Sequence, residues 1–289
     1  MPDLSIIIVN YNTREPLRRC LESIQLHKAA LTIETIVVDN ASKDGSAEMV
    51  REVMPEAVLI EPGHNTWFTG GNNIGIQKAT GEYVLILNPD TVFQKDTLQT
   101  MIAYLKTHPK VGAITCQMRF PDGGLQNTGS QVPAYIDLLL GYTFLGVVLR
   151  PWRDNRRKQM WYTGWQRDTT RPVEVIPDSN MMSPLALIKQ LKGFDETLKL
   201  YFTEDDICRR ILNAGYEIHF VAEALLLHEE HASTSQVQRL ASQVYFQDLL
   251  QFSRKYYGSL STLILQGLIW PTRQAMDVMQ RLRGERQSL

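Results

Sequence analysis

Short apolar runs punctuate the first 120 residues. LSIIIVN (4–10), IETIVVDN (33–40) and EYVLILN (82–88) are continuous rather than alternating, and are rich in β-branched residues. That pattern marks strands covered on both faces. AVLIE (57–61) and VGAITCQM (111–118) read as two further strands. The intervening segments carry helical spacing. Residues 14–27 place apolar side chains at 17, 21 and 24, one stripe of a helix. A second helix is expected over 42–54, with Ser42 or Asp44 as its cap. A third opens at GGNNIGIQKA (70–79), and a fourth spans 95–108. Strand and helix alternating through short connections predict an α/β fold with a mostly parallel sheet and helices on both faces. Ligands bind such sheets at the carboxyl ends of the strands. There the chain places Asn10-Tyr11-Asn12, Asp39-Asn40 and Asn88-Pro89-Asp90.

After about residue 120 the alternation stops. PDGGLQNTG (121–129) is turn-rich. A long irregular stretch follows, then a second group of polar motifs from 175 to 235. Residues 236–257 return to helical spacing. The expected organisation is one domain over 1–235, in two halves, 1–120 and 121–235. A helical segment over 236–289 follows it.

Composition narrows the classes. Net charge is −1 over 289 residues, which gives no overall basic field for nucleic acid. Three dispersed cysteines, Cys20, Cys116 and Cys208, form neither a disulfide framework nor a metal knuckle, and suit a reducing compartment. Asp3 stands where a secretory leader carries positive charge. The expected location is the cytoplasm, at the inner face of the membrane if either of two apolar stretches docks there. The first is YIDLLLGYTFLGVVL (135–149), ahead of a segment (150–171) with seven Lys/Arg and two Asp. The second is the tail, which also passes from apolar to basic. Neither reaches the roughly 20 apolar residues of a membrane span. Apolar surface beside basic charge suits an anionic membrane surface, and equally a packed helix with a solvated face.

Several strand ends carry candidate chemistry. Asp39 can accept hydrogen bonds from a nucleoside, or can cap the next helix. Pro89 lacks a backbone donor and helps to end its strand. It presents Asp90, which suits a divalent cation with oxygen ligands or a simple turn. The glycine pair of HNTWFTGGNNIGIQKATG (64–81) suits an anion at a helix start. G-x-G-x-x-G after the first strand and G-x-x-x-x-G-K-[ST] are both absent, which argues against a dehydrogenase and a P-loop enzyme. Glu204, Asp205 and Asp206 precede a helical pattern. They suit a helix N-terminus, or a general base whose pKa is raised by its neighbours. His228 ends an apolar strand and can ligate a metal or sit in solvent. His228 and His231 do not form H-E-x-x-H.

In order along the chain, SIIIVNYN, IVVDNAS, FTGGNNIGI, LILNPDT, GFDE with FTEDDICRR and AGY, LLLHEEHAS and FSRKYYG resemble the inverting nucleotide-sugar glycosyltransferases of family two, with the GT-A fold. Within that family the likeness is to rhamnosyltransferase-like enzymes of bacterial polysaccharide assembly. It covers Leu4 to about Gly258. The resemblance implies that Asn10, Tyr11, Asn12 and Asp39 hold the base and ribose of a dTDP-, UDP- or GDP-linked sugar. Gly71 and Asn72 would belong to the donor site, and Asn88 would lie near the ribose and metal. Asp90 with His228 would bind Mg²⁺ or Mn²⁺ across the diphosphate. One of Glu204, Asp205 and Asp206 would be the base, Asp205 first, for a glycan or lipid-linked acceptor. Departures are Trp67 in place of the usual glycine, an acidic motif one residue short, Ser179-Asn180 in place of a usual Gly-Ala pair, and an unexpected Asp178. Two alternatives are a sugar nucleotidyltransferase, which would want a basic Gly-rich loop where NYNTREP stands, and a non-catalytic sugar-nucleotide-binding protein.

Overall fold

A computed structural model describes residues 1–229 and 238–286, with side chains placed throughout except at 238–242 and 275–286. His231 lies outside the described residues. The strands are β1 (Leu4–Asn10), β2 (Ile33–Asp39), β3 (Val58–Ile60), β4 (Tyr83–Leu87), β5 (Thr91–Phe93), β6 (Val111–Arg119), β7 (Arg171–Val173), β8 (Asn180–Pro184) and β9 (Glu217–His228). The helices are α1 (Arg14–His27), α2 (Ser46–Val53), α3 (Trp67–Lys78), α4 (Thr97–Thr107), α5 (Tyr135–Tyr142), α6 (Leu145–Val148), α7 (Arg150–Met160), α8 (Leu185–Gln190), α9 (Thr203–Asn213) and α10 (Gln238–Arg286).

All nine strands join one sheet in the order β3-β2-β1-β4-β8-β6-β9-β5, with β7 on β9. The β3-β2-β1-β4 half is parallel, as the apolar runs predict. Beyond β4 the pattern departs from expectation. β8 enters antiparallel between β4 and β6, so β6 is not the next parallel neighbour. β5 and β7 both run antiparallel to β9. The two halves of the chain therefore share one sheet, and the turn-rich stretch after 120 separates sequence motifs rather than layers.

Period-two alternation assigns the core. Leu4, Ile6 and Ile8 of β1 pack with Leu17, Leu21, Met49 and Met101 of α1, α2 and α4. Ile7 faces the other layer, with Ile76, Ile188 and Ile211 of α3, α8 and α9. A third cluster joins Leu138, Phe202, Phe252 and Leu265, bringing α5 and α10 over the start of α9. α10 breaks at Gly258 (φ 81°, ψ 171°) into two helices. Among the described residues no helix is long and apolar enough to cross a membrane.

Two local expectations change. α2 starts at Ser46, after Gly45, while Asp44 accepts from the Ser46 N–H and hydroxyl and from the Arg14 N–H. Ser42 instead links the β1 and β2 loops. α3 starts at Trp67, so the glycine pair lies inside the helix rather than at its mouth. A Cβ on Gly71 would stand 2.8 Å from Val9 Cγ1, and one on Gly75 would stand 2.4 Å from Ile7 Cγ2. These glycines let α3 lie close on β1. Gly71 is therefore a packing residue and not an open anion nest. Gly75→Ala is expected to lower unfolding stability by about 1–3 kcal/mol through overpacking, measured by urea denaturation.

Candidate active site

The ends of β1, β2 and β4 meet at one edge, with Asn10 opposite Asp39 and Ile8 opposite Leu87. Asn10, fully buried, donates through Nδ2 to Ser42 Oγ at 3.0 Å and accepts from Thr13 Oγ1 at 2.6 Å. Asn12 adopts φ 53°, a conformation asparagine tolerates better than most residues. Its N–H donates to Ser42 Oγ, and its Oδ1 accepts from the Lys43 N–H. Asp39 is 3% exposed and accepts from the Ser42 N–H through Oδ1. Tyr11 is half-buried beside them. Asn40 reaches across the edge, donating to Trp67 O and accepting from Thr66 N–H and Oγ1. Trp67 has φ 63°, which accounts for the glycine usual at this position in the resembling family.

Asp90 and His228 come from sequence positions far apart. The antiparallel pairing of β5 with β9 sets Thr91 opposite His228, and the Glu229 N–H donates to Asp90 O at 3.0 Å. Asp90 Oδ1 and His228 Nε2 then lie 3.3 Å apart, with both side chains buried. Gln126 decides the imidazole's tautomer. Its Nε2 donates to His228 O at 2.8 Å, so its Oε1 accepts from His228 Nδ1, 3.0 Å away. In the neutral ring Nε2 then carries the lone pair, facing a carboxylate oxygen. Two convergent acceptors of this kind suit a divalent cation. The described residues contain no group of three or more His, Cys, Asp or Glu able to hold a metal. A cation here would take its remaining ligands from water and substrate. Asn88 is half-buried; its N–H donates to Ser179 O, and its carbonyl accepts from Thr91 Oγ1.

That Asn88–Ser179 bond leads to the second acidic group. Asp178, next to Ser179, accepts a hydrogen bond from Thr203 Oγ1 at the start of α9. Glu204 and Asp205 follow, half-buried in the wall of a cavity of about 470 Å³. Burial holds the Asp205 carboxyl well above the usual carboxylate range, and nearby Glu204, Asp178 and Asp206 add to the effect. Burial also raises Glu204. Asp178 is raised well above its ordinary value by burial and then by Glu204. No described residue donates a hydrogen bond to the Asp205 carboxylate, whereas Glu204 lies 3.3 Å from Thr203 Oγ1. Asp206 is different. It is 1% exposed, with Oδ2 on Arg210 Nε (2.8 Å) and Oδ1 on Lys255 Nζ (2.5 Å) and Tyr256 OH (2.6 Å). Oδ1 ties α10 to α9 and Oδ2 is paired within α9, so both oxygens are engaged, which corrects its place among the candidate bases.

With the geometry in place, residues 5–165, more than half of the chain, match the model of glycosyl transferase family 2. The chain belongs to this family. It is an inverting glycosyltransferase with the GT-A fold. One relative is the N-acetylglucosaminyl-diphospho-decaprenol L-rhamnosyltransferase of Mycobacterium tuberculosis. It is 25% identical over 247 residues, covering 80% of this chain and 77% of the relative. The low-salt glycan biosynthesis hexosyltransferase Agl10 of Haloferax volcanii is 24% identical over 267 residues, covering 90% and 76%. A mannosyltransferase of Pyrobaculum calidifontis, solved in complex with GDP-Man and Mn²⁺, superposes with a TM-score of 0.60. It is 19% identical, covering 88% of this chain and 64% of that one.

Three residues to which the sequence reading gave no role hold neighbouring candidate groups in place. Gln126 orients His228. Asp248, buried in α10, accepts through Oδ2 from the N–H groups of Lys199, Leu200 and Tyr201. This fixes the loop that ends at Phe202, held at φ 60° just before the acids. Asn73 binds the Phe194 N–H and carbonyl, tying α3 to the GFDE turn. Neighbouring Asn72 is 1% exposed and donates to Phe68 O. Each partner lies more than 45 residues away in sequence, apart from the local Asn72 bond, so no short motif could reveal it.

Proposed function

We propose that this protein moves a sugar from a nucleoside diphosphate to a hydroxyl of a glycan or lipid-linked acceptor, with a divalent cation bound by Asp90 and His228. The observation that carries this reading is the convergence of Asp90 Oδ1 and His228 Nε2 at 3.3 Å, with Gln126 setting the tautomer. The cation and nucleotide sugar seen in the mannosyltransferase of the same fold support it. When bound, such a cation would offset the negative charge that gathers on the departing diphosphate.

This chain's own residues supply the rest. Asp39, Tyr11, Asn10 and Asn12 form the wall for base and ribose, Asn88 borders the ribose, and Asn72 and Gly71 seat α3 behind that wall. Asp205 takes the proton of the acceptor hydroxyl. The oxygen so activated attacks the anomeric carbon opposite the leaving group and inverts it. Holding both substrates at one sheet edge lowers the barrier through orientation. A Mn²⁺ ion accepts an imidazole ligand more readily than Mg²⁺, so Mn²⁺ is the assigned cation. The acceptor belongs to cell-surface glycan assembly, a reading supported by the diphospho-decaprenol and glycan biosynthesis in the names of the two relatives.

Release of nucleoside diphosphate from a panel of UDP-, GDP- and dTDP-sugars tests the proposal, with Mn²⁺, Mg²⁺ or EDTA. One donor is expected to be turned over, with Mn²⁺ giving the highest rate and EDTA abolishing it. Turnover that persists in EDTA would remove the cation from the reading. Formation of a nucleotide sugar from sugar phosphate and nucleoside triphosphate would favour the nucleotidyltransferase.

A further inference from the structure

The cavity beside Glu204 and Asp205 has a second wall of opposite charge. Arg153, Arg156 and Arg157 occupy positions i, i+3 and i+4 of α7, one face of that helix, and all three line the cavity. Glu204 and Asp205 form no ion pair with them or with any other described residue. Cations and carboxylates thus face one space without closing on each other. Arg156 is held by Asp137 through two bonds, at 2.9 and 2.7 Å, which braces α7 against α5. Arg153 is bound to Asp154 alone, and Arg157 is exposed with no carboxylate partner among the described residues. A guanidinium set lining a cavity is suited to phosphate oxygens. Just ahead of α7, Val147 and Val148 of α6 are 75% and 70% exposed, and Trp152 is 58% exposed. Cationic and apolar surface side by side match a ligand with an anionic head and an apolar chain.

We propose that Arg153 and Arg157, braced by Arg156, bind a diphosphate carried by the acceptor, with its apolar chain leaving over α6. The proposal rests on the glycosyltransferase reading for the ligand's role as acceptor. The binding itself needs neither donor nor cation, so failure of donor turnover and failure of this site register in different experiments.

Calorimetry in EDTA tests it, with inorganic pyrophosphate and farnesyl diphosphate as probes. The wild type is expected to bind both, farnesyl diphosphate more tightly. Arg157→Ala and Arg153→Ala are each expected to weaken both at least tenfold, and Arg157→Lys to restore part of the loss. Asp90→Ala, which leaves the arginines in place, is expected to bind the probes like wild type. Arg157 has no carboxylate partner among the described residues, so a folded Arg157→Ala protein with undiminished binding overturns the proposal. So does a wild type that binds neither probe. Vesicles of phosphatidylglycerol and of phosphatidylcholine form the last arm. Sedimentation with the anionic vesicles that depends on Arg153 and Arg157, without probe binding, gives these residues to the membrane surface and overturns the acceptor site.

Discussion

Asp90→Ala is expected to abolish the Mn²⁺-dependent part of donor binding and to reduce turnover by on the order of 10²-fold or more. The carboxylate is one of the two groups proposed to hold the cation, and the other, His228 Nε2, lies 3.3 Å from it. With Asp90 removed, a single imidazole remains, which is too little to hold a hard divalent ion whose other ligands are water and phosphate. The measurement is titration calorimetry with the nucleoside diphosphate of the preferred donor, with Mn²⁺ and with EDTA. The two curves should differ for wild type and coincide for the variant. An unchanged Mn²⁺ dependence would move the cation elsewhere. The backbone bond from the Glu229 N–H to Asp90 O survives the substitution, so the β5–β9 pairing is expected to persist and unfolding to stay close to wild type.

Asp205→Asn is expected to leave donor affinity intact and to lower kcat by roughly 10²–10⁴-fold, the usual contribution of a positioned base. Asparagine is nearly isosteric, and no described residue donates to the carboxylate it replaces. A base works only when deprotonated. Because Asp205 is held well above the usual carboxylate range, the acid limb of wild-type kcat/KM should lie above that range. Asp178→Asn removes one of the repelling charges and should move the limb to lower pH. Stability carries the same sign. A raised folded-state pKa favours the protonated form in the folded state. That contribution is full below the unfolded value of 3.8 and is lost as pH rises through the folded value. Asp205→Asn should therefore gain stability over wild type across that window and keep the gain at neutral pH, which urea denaturation at a series of pH values would read. Near-normal turnover in the variant would pass the role to Glu204.

Much of residues 1–120 was legible because its signals are local. Continuous runs such as LSIIIVN and IETIVVD, short and rich in β-branched residues, carry the pattern of strands covered on both faces. Their polar ends had to fall on one edge once the strands were parallel, and Asn10 and Asp39 do pair there. Asp206 shows where local reading stops. It stands beside Asp205 with the same chemistry, yet the roughly 100° step between neighbours on α9 turns it to Lys255 and Tyr256, residues about 50 positions away. Gly71 shows the same limit, since a glycine for helix packing and a glycine for an anion site look alike until Val9 is seen against it.

The chain's hydrophobic order by itself determined β1 to β4, β6 and the end of β9, the parallel half of the sheet and the edge that carries Asn10, Asp39 and Asn88. Burial on both faces leaves a signature in neighbouring residues, so it can be read without a fold. Only the tertiary structure decided that β8 enters antiparallel, that β5 on β9 carries Asp90 to His228, that Gln126 holds the His228 ring and that Asp248 fixes the loop before Glu204 and Asp205. Those outcomes depend on hydrogen bonds between residues far apart in the chain, whose geometry exists only once the sheet has closed around them.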